Sequence, residues 1–130
     1  MKKVTQTQLH NPPETNGNCM VAALASLLEL DIYEIPAFGD MEENKWFFAL
    51  LDWLHERGLH LVQWDGEVHP PGYHICNGPS PRGFEHSVVY YGTDLVHDPH
   101  PSREGLKEVT SVWALLPDNP VKGDGIRTGS

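Results

Sequence analysis

Cys19 heads the run Cys19-Met20-Val21-Ala22-Ala23-Leu24-Ala25-Ser26-Leu27-Leu28-Glu29-Leu30, and His86 and Asp98 lie far downstream. A thiol, an imidazole and a carboxylate are what nucleophilic catalysis at a carbonyl needs: an anion to attack, a base to take and return a proton, and a group to hold that base. The remaining requirement is a pair of donors for the developing oxyanion. Asn18 is a plausible helix cap, which makes Cys19 the first helical residue. There the positive end of the helix dipole and the unpaired first-turn amides favour thiolate over thiol. A free cysteine is also commonly a small buried residue, so position alone leaves both readings open.

The second half of the chain bears on that choice. His86 opens the alternating run His86-Ser87-Val88-Val89-Tyr90-Tyr91, and Asp98 ends Leu95-Val96-His97-Asp98, with Gly92-Thr93-Asp94 between them. This reads as a hairpin. A three-residue loop places Tyr91 opposite Leu95 and Val88 opposite Asp98, which makes His86 and Asp98 diagonal neighbours on one face. Diagonal neighbours lie roughly 7–8 Å apart at the backbone, within reach of an imidazole–carboxylate hydrogen bond. A two-residue loop shifts the register and puts the two side chains on opposite faces unless a bulge corrects it.

The elements that must position these groups fall in a clear order. Residues 1–17 are polar, carry Asn11-Pro12-Pro13 and read as an extended arm. The Cys19 run, rich in good helix formers and apolar on nearly every side, is a buried helix. After a connection containing Pro36, Asp40-Met41-Glu42-Glu43 has capping-box spacing, and Trp46, Phe47, Leu50, Leu51, Trp53 and Leu54 recur with helical period. That predicts a second helix from Met41 to Arg57, stopped by Gly58. Beyond it the period becomes two, in Leu59–Trp64, Tyr73–Cys76, His86–Tyr91, Leu95–Asp98 and Val109–Leu116, before a Gly- and Asp-rich tail over 117–130. Helices first and strands afterwards predict a single α+β domain, with N-terminal helices packed on a C-terminal antiparallel sheet.

Gly17-Asn18-Cys19 entering an apolar Ala/Leu helix, then His86-Ser87-Val88-Val89, then His97-Asp98-Pro99, resembles the papain-like cysteine protease superfamily. The likeness is to compact bacterial and phage forms similar to the bacteriocin-leader (double-glycine) peptidases, and it spans about Gln6 to Pro99. It implies a papain-like fold with Cys19 as nucleophile, His86 as general base and acid, and Asp98 as the orienting carboxylate. The Cys19 amide is one oxyanion donor, and Gln6, Gln8, Asn16 and Asn18 compete to be the other. In the superfamily a glutamine stands a few residues before the cysteine, where this chain has Pro13. Val4-Thr5-Gln6-Thr7 looks like the glutamine-bearing start of the phage-type members, which favours Gln6 with an inserted loop.

The bulk properties narrow the function classes. The chain has 130 residues, enough for one domain, and nine Lys and Arg against 18 Asp and Glu leave a net charge of −9. Phosphate backbones are repelled on average, so nucleic acid is not an expected partner. No apolar stretch approaches the roughly 20 residues of a membrane helix, and the polar start is unlike a signal peptide, so a cytoplasmic protein with both cysteines as thiols is expected. No cofactor is called for. His69, His74, Cys76, His97 and His100 are potential metal ligands, yet they form no metal-binding motif, so no metal is expected. Trp46, Phe47 and Trp53 read as core and rim of the second helix, and Trp64 as a strand end or a groove wall.

The favoured reading is a hydrolase that cleaves a peptide, isopeptide or other acyl bond through a Cys19 thioester. The alternatives are a catalytically silent papain-like binding or inhibitor protein and an acyltransferase using the same triad. The expected partner is a peptide or protein.

Overall fold

The computed structural model describes residues 1–7, 18–42 and 44–118. Helix α1 spans Cys19–Leu28 and helix α2 spans Trp46–Glu56. Between them lie two short 3-10 turns, Ile32–Glu34 and Phe38–Asp40. Five strands follow: β1 Leu59–Asp65, β2 Tyr73–Pro79, β3 Glu85–Tyr91, β4 Asp94–His97 and β5 Ser111–Pro117. They form one antiparallel sheet in the order β1-β5-β2-β3-β4. The architecture is α+β, with the helices on the sheet.

The strand period of two sorts the side chains onto two faces. Ile75, Val89 and Trp113 point into the main core with Val21, Leu24, Leu50 and Leu54, the apolar stripes of the helices, and with Phe38 of the second 3-10 turn. Their neighbours Cys76, Val88 and Val112 point the other way, into a smaller core closed by Val109 and Leu106 of the segment before β5. The sheet is thus buried on both faces at its centre, where the adjacent apolar pairs Ile75-Cys76, Val88-Val89 and Val112-Trp113 place one side chain on each face.

The start of α2 differs from the expectation of Met41. Asp40-Met41-Glu42-Glu43 does not cap it, because Met41 is extended (φ −84°, ψ 162°) at the end of the 3-10 turn over Phe38–Asp40. Phe38 is almost fully buried and meets Trp53 edge-on at 6.1 Å between ring centroids. Tertiary packing of Phe38 therefore overrides the local signal. The capping box that does form is Asp31 with Glu34, the same Asp-x-x-Glu spacing nine residues earlier. Glu43 lies outside the described residues, as do 8–17 of the arm and 119–130 of the tail.

Residues 2–6 run along α1 in extended form. Lys2 N–H donates to the Ser26 carbonyl, Val4 N–H to the Ser26 hydroxyl, and Gln6 N–H to the Pro99 carbonyl. Ser26 is fully buried and its hydroxyl donates to the Ala22 carbonyl at 2.8 Å. One polar residue inside an otherwise apolar helix thus supplies the acceptor for the arm's backbone.

Gly78 sets a steric constraint on the central strands. A Cβ there would lie 1.9 Å from the Glu108 carbonyl oxygen, and Gly78 pairs with His86. Gly78→Ala is expected to lower stability by about 1–3 kcal/mol, the usual overpacking penalty. A urea midpoint unchanged from wild type would contradict this close approach.

Candidate active site

Asp98 is the most constrained polar residue of the fold. It follows β4, and its carboxylate is enclosed by the turn that comes after it. Oδ1 accepts from the His100 amide at 2.8 Å and Oδ2 from the Gly105 amide at 2.7 Å. The turn is closed by the Arg103 guanidinium, which donates to the Asp98 carbonyl and to Thr5 Oγ1 of the arm. Arg103 adopts a left-handed φ of 56°, an uncommon conformation for a side-chain-bearing residue that these two contacts hold in place. Burial alone would raise the Asp98 pKa. Hydrogen bonds from His86, His100 and Gly105 outweigh it and hold the carboxyl at about 2.

His86 Nε2 donates to Asp98 Oδ1 at 2.5 Å, and both side chains are nearly fully buried. The register that joins them is not the one a three-residue loop would give. Tyr91 pairs with Asp94 and Tyr90 with Leu95, so the loop has two residues, Gly92 and Thr93, with the positive φ (59°) on Gly92. A register shift then follows, with Val89 opposite His97, and Val96 is the extra residue on β4. Continued by one residue, this pairing brings Asp98 opposite Val88, the diagonal position from His86. The bulge restores the relation that the short loop would otherwise break.

His86 also interacts with the Cys19 side chain at the head of α1. Burial works against the imidazolium, yet the bond to Asp98, the hydrogen-bonding and charge of the Cys19 sulfur and the Asp98 charge together raise the ring to about 9. Because Asp98 holds Nε2, the nitrogen left for sulfur is Nδ1. Cys19 is the first residue of α1, partly exposed, with a free thiol. Cys76 is also free but fully buried, and burial together with the Glu67 charge pushes its thiol up to about 12. The two cysteines thus occupy opposite environments.

Asn18 precedes α1 as expected, but its side chain does not cap the helix. It turns to the arm, where Oδ1 accepts from Thr7 N–H at 3.0 Å and Nδ2 donates to Thr7 Oγ1 at 2.7 Å. Asn18 is therefore a splint holding the arm against α1. Gln6, the residue before Thr7, is buried where the arm passes between Pro99 and the head of α1. Gln8 and Asn16 lie outside the described residues.

Cys19 and His86 open onto a cleft of about 480 Å³. Met20, Met41, Trp46 and Trp113 supply its apolar wall, and Asn77, Ser87 and Ser111 form a polar row along its floor. That row is internally bonded, Ser87 Oγ to Asn77 Oδ1 at 2.6 Å and Asn77 Nδ2 to Ser111 Oγ at 3.2 Å. Trp113, oriented by its indole N–H on Gln63 Oε1, stacks obliquely near Trp46 and Phe47. Trp113 and Trp46 are the groove-lining aromatics that sequence reasoning did not assign to a groove; Trp64 packs on the opposite core instead. Trp46 and Phe47 belong to the core and rim as expected. The histidines also separate: His97 donates to the Val4 carbonyl at 2.7 Å and braces the arm, and His100 sits beside the His86 ring.

The buried pair carries a defined pH signature. His86, raised from 6.5 to about 9, contributes stability that is fully present below about pH 6.5 and is lost as pH rises through about 9. Asp98, lowered from 3.8 to about 2, contributes stability present above about pH 4 and lost as pH falls through about 2. The stability difference between wild type and His86→Gln should therefore be largest between about pH 4 and 6.5 and shrink towards pH 9. Urea unfolding across that range measures it, and a difference that grows above pH 6.5 would contradict the pairing.

Among the described residues no helix is long and apolar enough to cross a membrane. Comparison with protein-family models, curated proteins and solved structures finds no match, so the chemistry of this chain is argued from the geometry of Cys19, His86 and Asp98.

Proposed function

We propose that the protein is a papain-like cysteine hydrolase that cleaves a peptide, isopeptide or other acyl bond through a thioester on Cys19. The observation that carries this reading is one imidazole bonded to a buried carboxylate through Nε2 and also hydrogen-bonded and charge-coupled to the Cys19 side chain. Cys19 passes its thiol proton to His86 and its sulfur attacks the carbonyl carbon, while the electron pair of the C=O bond moves to oxygen. Collapse of that intermediate expels the leaving group, which takes its proton from His86. Water then gives a proton to His86 as it attacks the thioester, and the thiolate leaves. Asp98 keeps the ring oriented and stabilises the imidazolium throughout.

The Cys19 backbone amide at the head of α1 is the first oxyanion donor in this reading, and the Gln6 side chain is the second. The cleft suits an extended acyl donor, with an apolar group against Trp46 and Trp113 and polar atoms towards Asn77 and Ser87. A peptide or protein is the substrate class that this mixture of surfaces favours. Transfer of the acyl group to an amine would use the same three residues, and product analysis with and without an added amine distinguishes the two.

Iodoacetamide is expected to alkylate Cys19 and leave Cys76 unmodified, as read by intact mass and peptide mapping. His86→Ala should slow hydrolysis of an activated ester about 10²–10⁴-fold, the ordinary worth of a positioned base. Rapid labelling of Cys76 with Cys19 inert would overturn the assignment. Gln6→Ala separates the oxyanion role from the nucleophile: turnover should fall about 10²–10³-fold while alkylation, which forms no oxyanion, proceeds at the wild-type rate. Equal loss of both would reject Gln6 as a donor.

A further inference from the structure

The face of the sheet turned away from the helices carries a cluster with no part in the Cys19 chemistry. Cys76 and His74 project from β2 on this side, and His69 reaches them from the connection between β1 and β2. One potential ligand atom from each lies within 4.8 Å of the others. His74 Nδ1 contacts the Gly72 carbonyl at 3.0 Å, and His69 Nε2 contacts Glu67 Oε2 at 2.7 Å. Both acceptors are oxygens that cannot donate, so these nitrogens carry the ring hydrogens, and the lone pairs are on His74 Nε2 and His69 Nδ1. Both of those atoms are buried without a hydrogen-bond partner.

Two buried lone pairs beside one thiol are poorly served by hydrogen bonding, since a single S–H can satisfy only one of them. A dication satisfies all three. The outer contacts also match what metal-bound histidines require, a backbone carbonyl behind one ring and a carboxylate behind the other, which fix the tautomer and ring orientation. We propose that His69, His74 and Cys76 form a zinc-type metal site that clamps the β1–β2 connection onto β2. Sulfur with two imidazoles selects zinc-like ions over calcium or magnesium, which take oxygen ligands. Tetrahedral zinc with donors at about 2.0–2.3 Å places them about 3.3–3.8 Å apart. The cluster therefore needs to close by no more than about 1–1.5 Å on loading. His69, whose side chain is 17% exposed on a connecting segment, is the ligand able to move. Binding displaces the Cys76 thiol proton to solvent, and water fills the fourth position from the His69 side.

The test uses the full chain without a histidine tag, stripped by chelator and titrated with Co(II). One equivalent should bind with a thiolate-to-cobalt charge-transfer band and the d–d absorption of a four-coordinate ion, and Zn(II) should displace it. The band should persist in Cys19→Ser and vanish in Cys76→Ser. His69→Asn, at the more accessible ligand, should weaken binding at least about tenfold while leaving the fold intact by circular dichroism. Absence of the band in the wild type, its loss in Cys19→Ser, or unchanged affinity in His69→Asn would overturn the proposal. None of these readouts depends on hydrolytic activity.

Discussion

The Asp98 carboxylate, buried and bonded by His86 and by two backbone amides of the 98–105 turn, is the interaction on which the rest of the site depends. A carboxylate in a low-dielectric setting is costly unless nearly all its acceptor positions are used. Here they are used by groups from separate parts of the chain, which fixes those parts relative to one another. The imidazole comes from β3, the amides from the turn, and the closing Arg103 ties that turn to the arm at Thr5. Removing either member of the buried pair leaves the other unpaired, a loss of about 3–5 kcal/mol for a pair of this kind.

The same arrangement links stability to reactivity. The arm is held along α1 by Ser26, His97 and Asn18, all polar side chains doing backbone work inside or beside an apolar layer. It thereby reaches the head of α1 just where Cys19 emerges. Cys19 is partly exposed while the His86–Asp98 pair is buried, so the cleft presents the thiol and shields the pair. The second cysteine, one sheet face away and surrounded by apolar side chains and histidines, has the contrary environment.

Much of this arrangement was legible in the sequence, for local reasons. The α1 start at Cys19, the five strands and their separation from the helices follow from period and capping residues that act over a few positions. Where sequence reasoning fell short, a long-range contact decided. Sequence leaves the β3–β4 loop open between three residues and two with a bulge, and the strand pairing selects the second, with Val96 as the extra residue that keeps the His86–Asp98 relation. The Asp-x-x-Glu signature occurs at both 31 and 40; the first forms a box, whereas Met41 after Asp40 is extended and Phe38 before it is buried. Asn18 occupies the cap position but bonds Thr7, a partner that sequence separation hides. His69, His74 and Cys76 look unrelated along the chain because a connecting segment folds back over β2.

The central claim is that one imidazole is shared between a buried carboxylate and the sulfur of Cys19. Nitrogen NMR of the His86 ring, followed across pH, reads this directly. The account predicts a midpoint near 9 in the wild type, lower values in Cys19→Ser and in Asp98→Asn, and a Nε2 hydrogen that stays on the ring after deprotonation. A His86 midpoint at the ordinary value near 6.5, unmoved by either substitution, would contradict it.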